Sequence, residues 1–285
     1  MRPTKNNWIG AAVIALAAIT AAGSLAVVSA QQRPRGGQER TTAARATVDP
    51  QADRVLRGMS QYLQGLRAFR VSADSALEVV LENGQKLQFV SASQVRVRRP
   101  DRLRSERRGA QADAVLYYDG DSVTLFGRRQ NVWATTEAPR ALDEMIEFAR
   151  DDLDIEAPAA DLLASDVYAT LMEDVRSGMY VGQEEVGGVS AHHLAFRNRG
   201  GTDWQIWVQD GATPLPVRYV VVSTDVQSDP QFEVALHDWD TRATVSDADF
   251  AFEAPQGARQ IEFMGARQAR DAARARERRR IEGGR

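Results

Sequence analysis

The chain has 285 residues, of which 43% are hydrophobic and 26% are charged. This composition is typical of a folded protein and excludes wholesale disorder, a collagen-like repeat and a multi-pass membrane protein. The formal net charge of -3 lacks the basic excess of a general nucleic-acid binder, so no nucleic-acid partner is expected. Cysteine is absent, which excludes disulfides, thiolate zinc sites, iron–sulfur clusters, cysteine nucleophiles and lipid attachment through cysteine.

The N-terminus predicts export. Arg2 and Lys5 precede an apolar run over residues 8–22, and Val28-Ser29-Ala30 suits cleavage by a signal peptidase after Ala30. Residues 9–30 are also long enough to span a bilayer, so the alternative is an uncleaved N-terminal membrane anchor. Under either interpretation the folded part lies outside the cytoplasm.

Charge divides the mature chain into three regions. Residues 31–48 have no apolar periodicity and are predicted to be a linker, followed by one folded domain over 49–265. Residues 266–285 hold eight arginines and three acidic residues, whereas the body over 31–265 carries a charge of -10. This tail could lie on anionic lipid headgroups, at about 1 kcal/mol per basic residue near a charged surface. The alternative is a solvated helix or a disordered tail.

The domain is predicted to open with a helix over about 50–66. Asp49 is a favourable N-cap and Pro50 suits the first helical position. Helical spacing relates the apolar residues that follow, which are Val55, Leu56, Met59, Tyr62, Leu63 and Leu66.

A meander of strands follows this helix. From Phe69 the apolar period changes to two, so one face of the first strand should carry Val71, Ala73, Ser75, Leu77, Val79 and Leu81. Asn83-Gly84 predicts a hairpin turn, and further short strands extend to Ala134.

Helical spacing returns after Pro139 and predicts a helical insertion over 141–174. One apolar stripe consists of Leu142, Met145, Ile146, Ala149 and Leu153, and a second of Leu163, Val167 and Leu171 with Ala164, Tyr168 and Met172. Strands resume after Gly178, and roughly ten antiparallel strands need curvature or closure to hide their edges. The predicted fold class is therefore α+β, with a strongly curved antiparallel sheet, an incomplete barrel, and helices packed on or lidding its concave face.

Several short motifs then occur in one order along the chain: Arg99-Pro100 with Leu103-Arg104, Tyr118-Asp119-Gly120, Leu125-Phe126 with Val132-Trp133, and ADFAFEAPQGA at 248–258. In these motifs the chain resembles the LolA/LolB periplasmic lipoprotein carriers over about 49–263. It looks closest to relatives of those carriers known only as predicted periplasmic proteins of unknown function. The resemblance implies a periplasmic location and a cupped sheet lidded by helices, whose hydrophobic interior holds a lipid or lipoprotein acyl chain. An envelope membrane surface or a partner protein is a further implied partner.

By the same resemblance, the residues expected at the lid or ligand are Arg99, Leu142, Met145, Ile146, Leu163 and Tyr168. The arginine that matches Arg99 in the carriers hydrogen-bonds the backbone of a lid helix and couples lid opening to cargo binding. The alternative is an ordinary solvated or ion-paired arginine. The neighbouring arginines 102, 104, 107 and 108 suggest either cargo with an anionic headgroup or a strand that faces water. Without cysteine there is no lipobox, so the chain resembles the soluble carrier more than the lipid-anchored receptor.

No motif predicts catalysis, a metal site or a cofactor. His192 and His193 are adjacent in a predicted strand, so they should point to opposite faces and not share a metal ion. Trp204 and Trp207 should likewise face opposite sides of a strand, with at least one in the core. The alternative to a lipid carrier is a non-catalytic envelope module with a filled core and no ligand.

Overall fold

One open sheet of twelve strands organises residues 47–155 and 157–263, the part of the chain that the computed structural model describes. The strands are β1 (Ala68–Val80), β2 (Lys86–Arg98), β3 (Arg102–Gly109), β4 (Asp113–Tyr118), β5 (Ser122–Gly127), β6 (Val132–Glu137), β7 (Val175–Val186), β8 (Val189–Asn198), β9 (Thr202–Gln209), β10 (Pro216–Ser223), β11 (Gln231–Asp240) and β12 (Arg259–Gln260). The helices are α1 (Pro50–Gly65), α2 (Leu142–Asp151) and α3 (Val167–Met172), with 3-10 turns at Ala160–Leu163 and Asp247–Asp249.

The strand order is β12-β6-β5-β4-β3-β2-β1-β11-β10-β9-β8-β7, and every pairing is antiparallel except that of β12 with β6. The sheet is curved and does not close into a barrel. The predicted α+β fold with a curved antiparallel sheet is therefore confirmed. The predicted signal, most of the linker and the basic tail lie outside the described residues. Among the residues that are described, no helix combines the length and the apolar character needed to cross a bilayer.

Helix α1 begins as the sequence predicts. The Asp49 side chain accepts hydrogen bonds from the backbone N–H groups of Gln51 and Ala52, and Pro50 occupies the first turn. These contacts satisfy donors that a helix N-terminus otherwise leaves open. The helix contacts β7, β9 and α3, and its buried side chains include Leu56, Met59 and Leu63.

Alternation along β1 defines the two faces of the sheet. Val71, Ala73 and Leu77 are buried on the inner face, which we define as the face against which the helices pack. The opposite, outer face carries most of the C-terminal segment 246–263, whose last residue, Phe263, reaches the inner face. Asn83 and Gly84 lie in the loop between β1 and β2, where Gly84 adopts a φ of 82° that suits glycine. The predicted inner face of β1 is thus observed.

Two clusters of buried side chains fill most of the space between helices and sheet. The first, the α1 cluster, joins α1 and α3 to strands β8 to β11 through residues such as Met59, Ile206 and Phe232. The second, the α2 cluster, joins α2 to strands β1 to β5 through residues such as Phe69 and Val97. Helices α1 and α2 cover different halves of the sheet. The segment between α2 and β7 contacts both clusters, since Leu162 belongs to the α1 cluster and Leu163 packs against the α2 cluster.

The outer face of the β1 to β6 half is covered by the C-terminal segment. Phe252 lies against three aromatic rings, with centroid distances of 5.4 Å to Tyr117, 5.9 Å to Phe126 and 5.2 Å to Trp133. Phe250 beside it is fully buried. The segment then adds β12 in parallel to β6. The motif at 248–258 therefore acts as a cover for one face of the sheet.

Arg98 of β2 and Arg104 of β3 lie under this cover and are ion-paired. Glu106 lies 2.9 Å from Arg104 and 2.6 Å from Arg128, and Asp247 of the cover pairs with Arg98. Arg107 is on the inner face and donates from Nε to the Ser91 hydroxyl at 3.0 Å. Several arginines of this basic region thus form ion pairs on the face opposite the helices.

Candidate ligand cavity

A cavity of about 210 Å³ lies between the inner face of the sheet and the helical segment 142–174. Strands β1, β9, β10 and β11 supply an apolar floor that consists of Leu77, Trp204, Tyr219, Val221 and Phe232. The helical segment supplies the apolar side chains of Ile146, Ala164 and Leu171 on the opposite wall.

Carboxylates dominate the charged part of the cavity wall. The acidic side chains are Asp143, Glu147, Asp161, Glu173 and Asp174. Among the described lining residues, Arg150 is the single cation, and its Nε lies 2.7 Å from the carboxylate of Asp151. Glu147 and Glu173 are exposed, whereas the remaining three acids are half-buried. The cavity therefore combines an apolar floor with an acidic wall on the helical side.

Tyr219 places a polar group on the cavity floor. Its side chain is only 4% exposed, and its hydroxyl makes no hydrogen bond to any residue in the described ranges. Burial raises the pKa of Tyr219 well above its usual value, and the negative charge of Asp161 adds to that effect. Buried tyrosine hydroxyls usually have a hydrogen-bond partner. An unpartnered hydroxyl at this place leaves a donor and an acceptor available to whatever fills the cavity.

Arg99 holds the helical segment against the end of β2. Its Nη2 donates to the backbone carbonyl of Ala164, a cavity-lining residue, at 3.1 Å. Burial lowers the pKa of Arg99, and the carboxylate of Asp143 opposes that shift. The Arg99 Nε is buried without a hydrogen-bond partner. One charged hydrogen bond from the sheet thus fixes the backbone at the centre of the helical segment.

A polar contact with α2 also holds this segment. Asp143, in the first turn of α2, accepts hydrogen bonds from the Ser165 backbone N–H at 2.9 Å and from the Ser165 hydroxyl at 2.5 Å. Ser165 directly follows Ala164, the residue that Arg99 contacts. The sheet and α2 therefore hold adjacent residues of the segment.

Contacts with α1 hold the segment at its other side. The Ser60 hydroxyl accepts a hydrogen bond from the Tyr168 backbone N–H at 2.9 Å. The Tyr168 hydroxyl donates to the carboxylate of Asp53 and accepts from the Nη2 of Arg57, which lies 2.6 Å away. Polar contacts thus fasten residues 160–172 on both sides.

The model of a family of predicted periplasmic proteins, DUF2092, matches residues 52–264. The chain belongs to this family. This confirms the prediction that the chain is related to predicted periplasmic proteins of unknown function. No curated protein matches this DUF2092 chain in sequence.

Solved structures with similar folds come from several bacteria. The lipoprotein LppX of Mycobacterium tuberculosis is 14% identical, with a TM-score of 0.44 over 70% of this chain and 100% of that one. An uncharacterized conserved protein of Thermus thermophilus is 12% identical, with a TM-score of 0.43 over 74% of this chain and 99% of that one. A LolA superfamily protein of Nitrosomonas europaea is 10% identical, with a TM-score of 0.36 over 70% of this chain and 97% of that one. At these identities and TM-scores, the similarities indicate nothing about ligands or activity.

The structure distributes the residues expected at the lid or ligand over different environments. Ile146 lines the cavity, and Arg99 contacts the cavity wall through Ala164. Leu142 and Met145 are 2% and 1% exposed within the α2 cluster and are not among the lining residues.

Leu163 and Tyr168 are likewise not among the lining residues. Leu163 is half-buried against the α2 cluster, whereas Tyr168 packs at the α1 cluster, where the Arg57 guanidinium lies 3.8 Å from the centroid of its ring. Of the two predicted lid segments, only the one over 141–174 lines the cavity among the described residues.

Sequence reasoning missed the floor of the cavity. Trp204, Tyr219 and Phe232 each occupy an inward position of an alternating strand, so alternation places them in the interior. Only the packing of the helical segment shows that a void remains beside them. Trp204 is buried in the α1 cluster and Trp207 lies on the outer face, which confirms that the two tryptophans face opposite sides.

The two adjacent histidines are also on opposite faces. The Nδ1 of His192 lies 2.9 Å from the Tyr180 hydroxyl, and its Nε2 lies 3.0 Å from the carboxylate of Asp210. The ring of His193 instead stacks on Trp207, with a centroid distance of 4.1 Å. Within residues 47–155 and 157–263, no group of three or more His, Cys, Asp or Glu side chains is arranged to hold a metal ion.

Proposed function

We propose that this DUF2092 protein is a non-catalytic binding protein of the periplasm that holds an acyl chain of a lipid or lipoprotein in the cavity. The observation that carries the proposal is the apolar floor, formed by residues such as Leu77, Trp204 and Phe232, under a helical segment fastened by polar contacts. Each methylene group buried there contributes about 0.8 kcal/mol. Apolar area alone therefore suffices for binding, without a reactive group.

The size of the cavity defines how such a ligand enters. Ligand sites usually have volumes of about 300 to 1,000 Å³, which exceeds the 210 Å³ observed here. A longer chain therefore requires the segment 160–172 to move away from the sheet. The contacts of Arg99 and Asp143 with this segment are hydrogen bonds that water can replace. Opening also separates Val167 and Leu171 of this segment from the α1 cluster, so it costs apolar contacts as well as these hydrogen bonds.

The rival proposal is an envelope interaction module with a filled core. Its support is the tight packing of the α2 cluster, in which Leu142, Met145 and Tyr118 are almost fully buried. The two proposals differ in what the purified protein releases on denaturation.

Extraction of the full chain, purified from its envelope fraction and denatured in organic solvent, tests the proposal by mass spectrometry. A lipid or acylated molecule in stoichiometric amount is expected. Val221→Trp should reduce that amount, because Val221 lies on the cavity floor and the larger side chain fills the void. Val222→Trp is the matched control, since Val222 packs at the outer-face cluster. Absence of lipid from the unsubstituted protein, in repeated preparations, supports the interaction module instead.

Export is part of the same proposal. N-terminal sequencing of the mature protein should give a chain that begins at Gln31, after cleavage behind Ala30. A mature chain that still begins at Met1 would show an uncleaved N-terminal segment.

A further inference from the structure

We infer that the ligand of the cavity is an amphiphile whose polar end is a cation, of the ammonium type, and not a carboxylate or phosphate. The inference rests on the proposed binding function and names its ligand class. Three observations carry it: the charge of the cavity wall, the side of the sheet on which the arginines lie, and the unpartnered hydroxyl of Tyr219.

The charge of the wall is the first observation. Five carboxylates line the cavity, against the single guanidinium of Arg150 among the described lining residues. Arg99 adds a second guanidinium behind the wall, where it is bound to the carbonyl of Ala164 and lies near Asp143. The wall and the residue behind it thus hold five carboxylates and two guanidinium groups. Since the apolar floor has a low dielectric constant, it strengthens the field of these charges inside the cavity.

The arginines of the sheet are the second observation. A basic strand beside a carrier cavity suggests an anionic headgroup when the sequence alone is considered. In the structure, Arg98 and Arg104 lie on the outer face and are paired with Asp247 and Glu106. The sheet itself separates these two arginines from the cavity. Arg107 is on the inner face, but it donates to the Ser91 hydroxyl and is not among the lining residues.

Tyr219 supplies the third and independent observation. Its side chain is 4% exposed and lines the cavity, and its hydroxyl has no hydrogen-bond partner in the described residues. It is close enough to Asp161 for that charge to act on it. An ammonium group donates hydrogen bonds to the Tyr219 oxygen and to a carboxylate at the same time. A carboxylate could accept from Tyr219, but it would face the repulsion of Asp161.

Binding of three decyl amphiphiles to the full chain tests the inference. Decylammonium, decanol and decanoate have the same chain and differ in charge, and the amine is protonated at neutral pH. Displacement of an uncharged environment-sensitive dye reports their affinities. At low ionic strength we expect decylammonium to bind at least tenfold more tightly than decanoate, with decanol between them. The ratio should fall as salt is added, because ions screen the exposed carboxylates.

Two variants, each of which lacks one carboxylate of the cavity wall, test whether the preference for a cation arises in the cavity. Asp161→Asn and Glu147→Gln should each reduce the ratio of decylammonium to decanoate affinity several-fold. Glu144→Gln is the matched control, since Glu144 belongs to α2 but does not line the cavity. An effect of the control equal to that of both variants would overturn the assignment to the cavity.

The outcomes also separate this inference from the proposed function. If decanoate binds as tightly as decylammonium or more tightly, the charge preference is wrong and binding of acyl chains stands. If none of the three amphiphiles displaces the dye, the proposed function itself is wrong.

Discussion

Replacement of Arg99 by leucine tests whether one hydrogen bond controls access to the cavity. The change removes the contact of 3.1 Å between the guanidinium and the Ala164 carbonyl. A hydrogen bond from a charged donor contributes about 1.5 to 3 kcal/mol. Since every 1.4 kcal/mol is a factor of ten, the ratio of open to closed segment should rise by about 10- to 150-fold. Overall stability should change little, because leucine also removes a half-buried charge whose Nε has no partner.

Two measurements on the full chain report this opening. Stopped-flow release of an uncharged fluorescent dye should become at least tenfold faster in Arg99→Leu, and backbone amides of residues 160–172 should exchange hydrogen faster. Arg98→Leu is the control, because it removes a neighbouring guanidinium that pairs with Asp247 on the outer face. If dye release and amide exchange in Arg99→Leu match those of the unsubstituted protein, the reasoning about this contact is refuted.

Three further substitutions test the packing and the charges around the helices and the sheet. Leu56→Ala should lower the free energy of unfolding by about 2 to 5 kcal/mol in urea titrations, because Leu56 is completely buried; a loss below about 1 kcal/mol would contradict this packing. The hydrogen bond with Arg57 lowers the pKa of Asp53, so the stability that Asp53 adds is present above its unfolded-state pKa and is lost as the pH falls through its lower folded-state pKa. Asp53→Asn should therefore flatten the pH dependence of Tm below about pH 4. The hydrogen bond with Asp238 raises the pKa of His237, so its contribution is full below the unfolded-state pKa and is lost as the pH rises through the folded-state value. His237→Gln should reduce the difference in Tm between about pH 5.5 and pH 8, and an unchanged difference would exclude this contribution.

Short-range periodicity allowed the sheet to be predicted from the sequence. Val71, Ala73 and Leu77 lie at alternating positions of one strand, and the structure buries all three on the inner face. The same geometry predicts that Trp204 and Trp207 lie on opposite faces, since an odd spacing along a strand places two side chains on opposite sides. Such arguments need only the geometry of one strand and are independent of the rest of the chain.

Contacts between distant segments could not be predicted in this way. Leu142 and Ile146 belong to one apolar stripe of α2, yet Leu142 is buried in the α2 cluster and Ile146 reaches the cavity. An apolar stripe shows which side of a helix is covered, but it does not distinguish a filled contact from a void. The pairing of Arg98 with Asp247 likewise joins segments far apart in sequence. The sequence therefore left open whether the basic strand faced a ligand, water or another part of the chain.

The order of the strands also constrains when the cavity can form during folding. Strands β1 and β11 are neighbours in the sheet although most of the described chain separates them in sequence. The strands on either side of this joint form from local hairpins, whereas the joint is a contact of high sequence separation, a type that forms slowly. Leu77 on β1 and Phe232 on β11 meet across it at the cavity floor. A chain that lacks Gln231–Asp240 thus has two separate half-sheets and an incomplete binding site, so its capacity for ligand requires this strand to be in place.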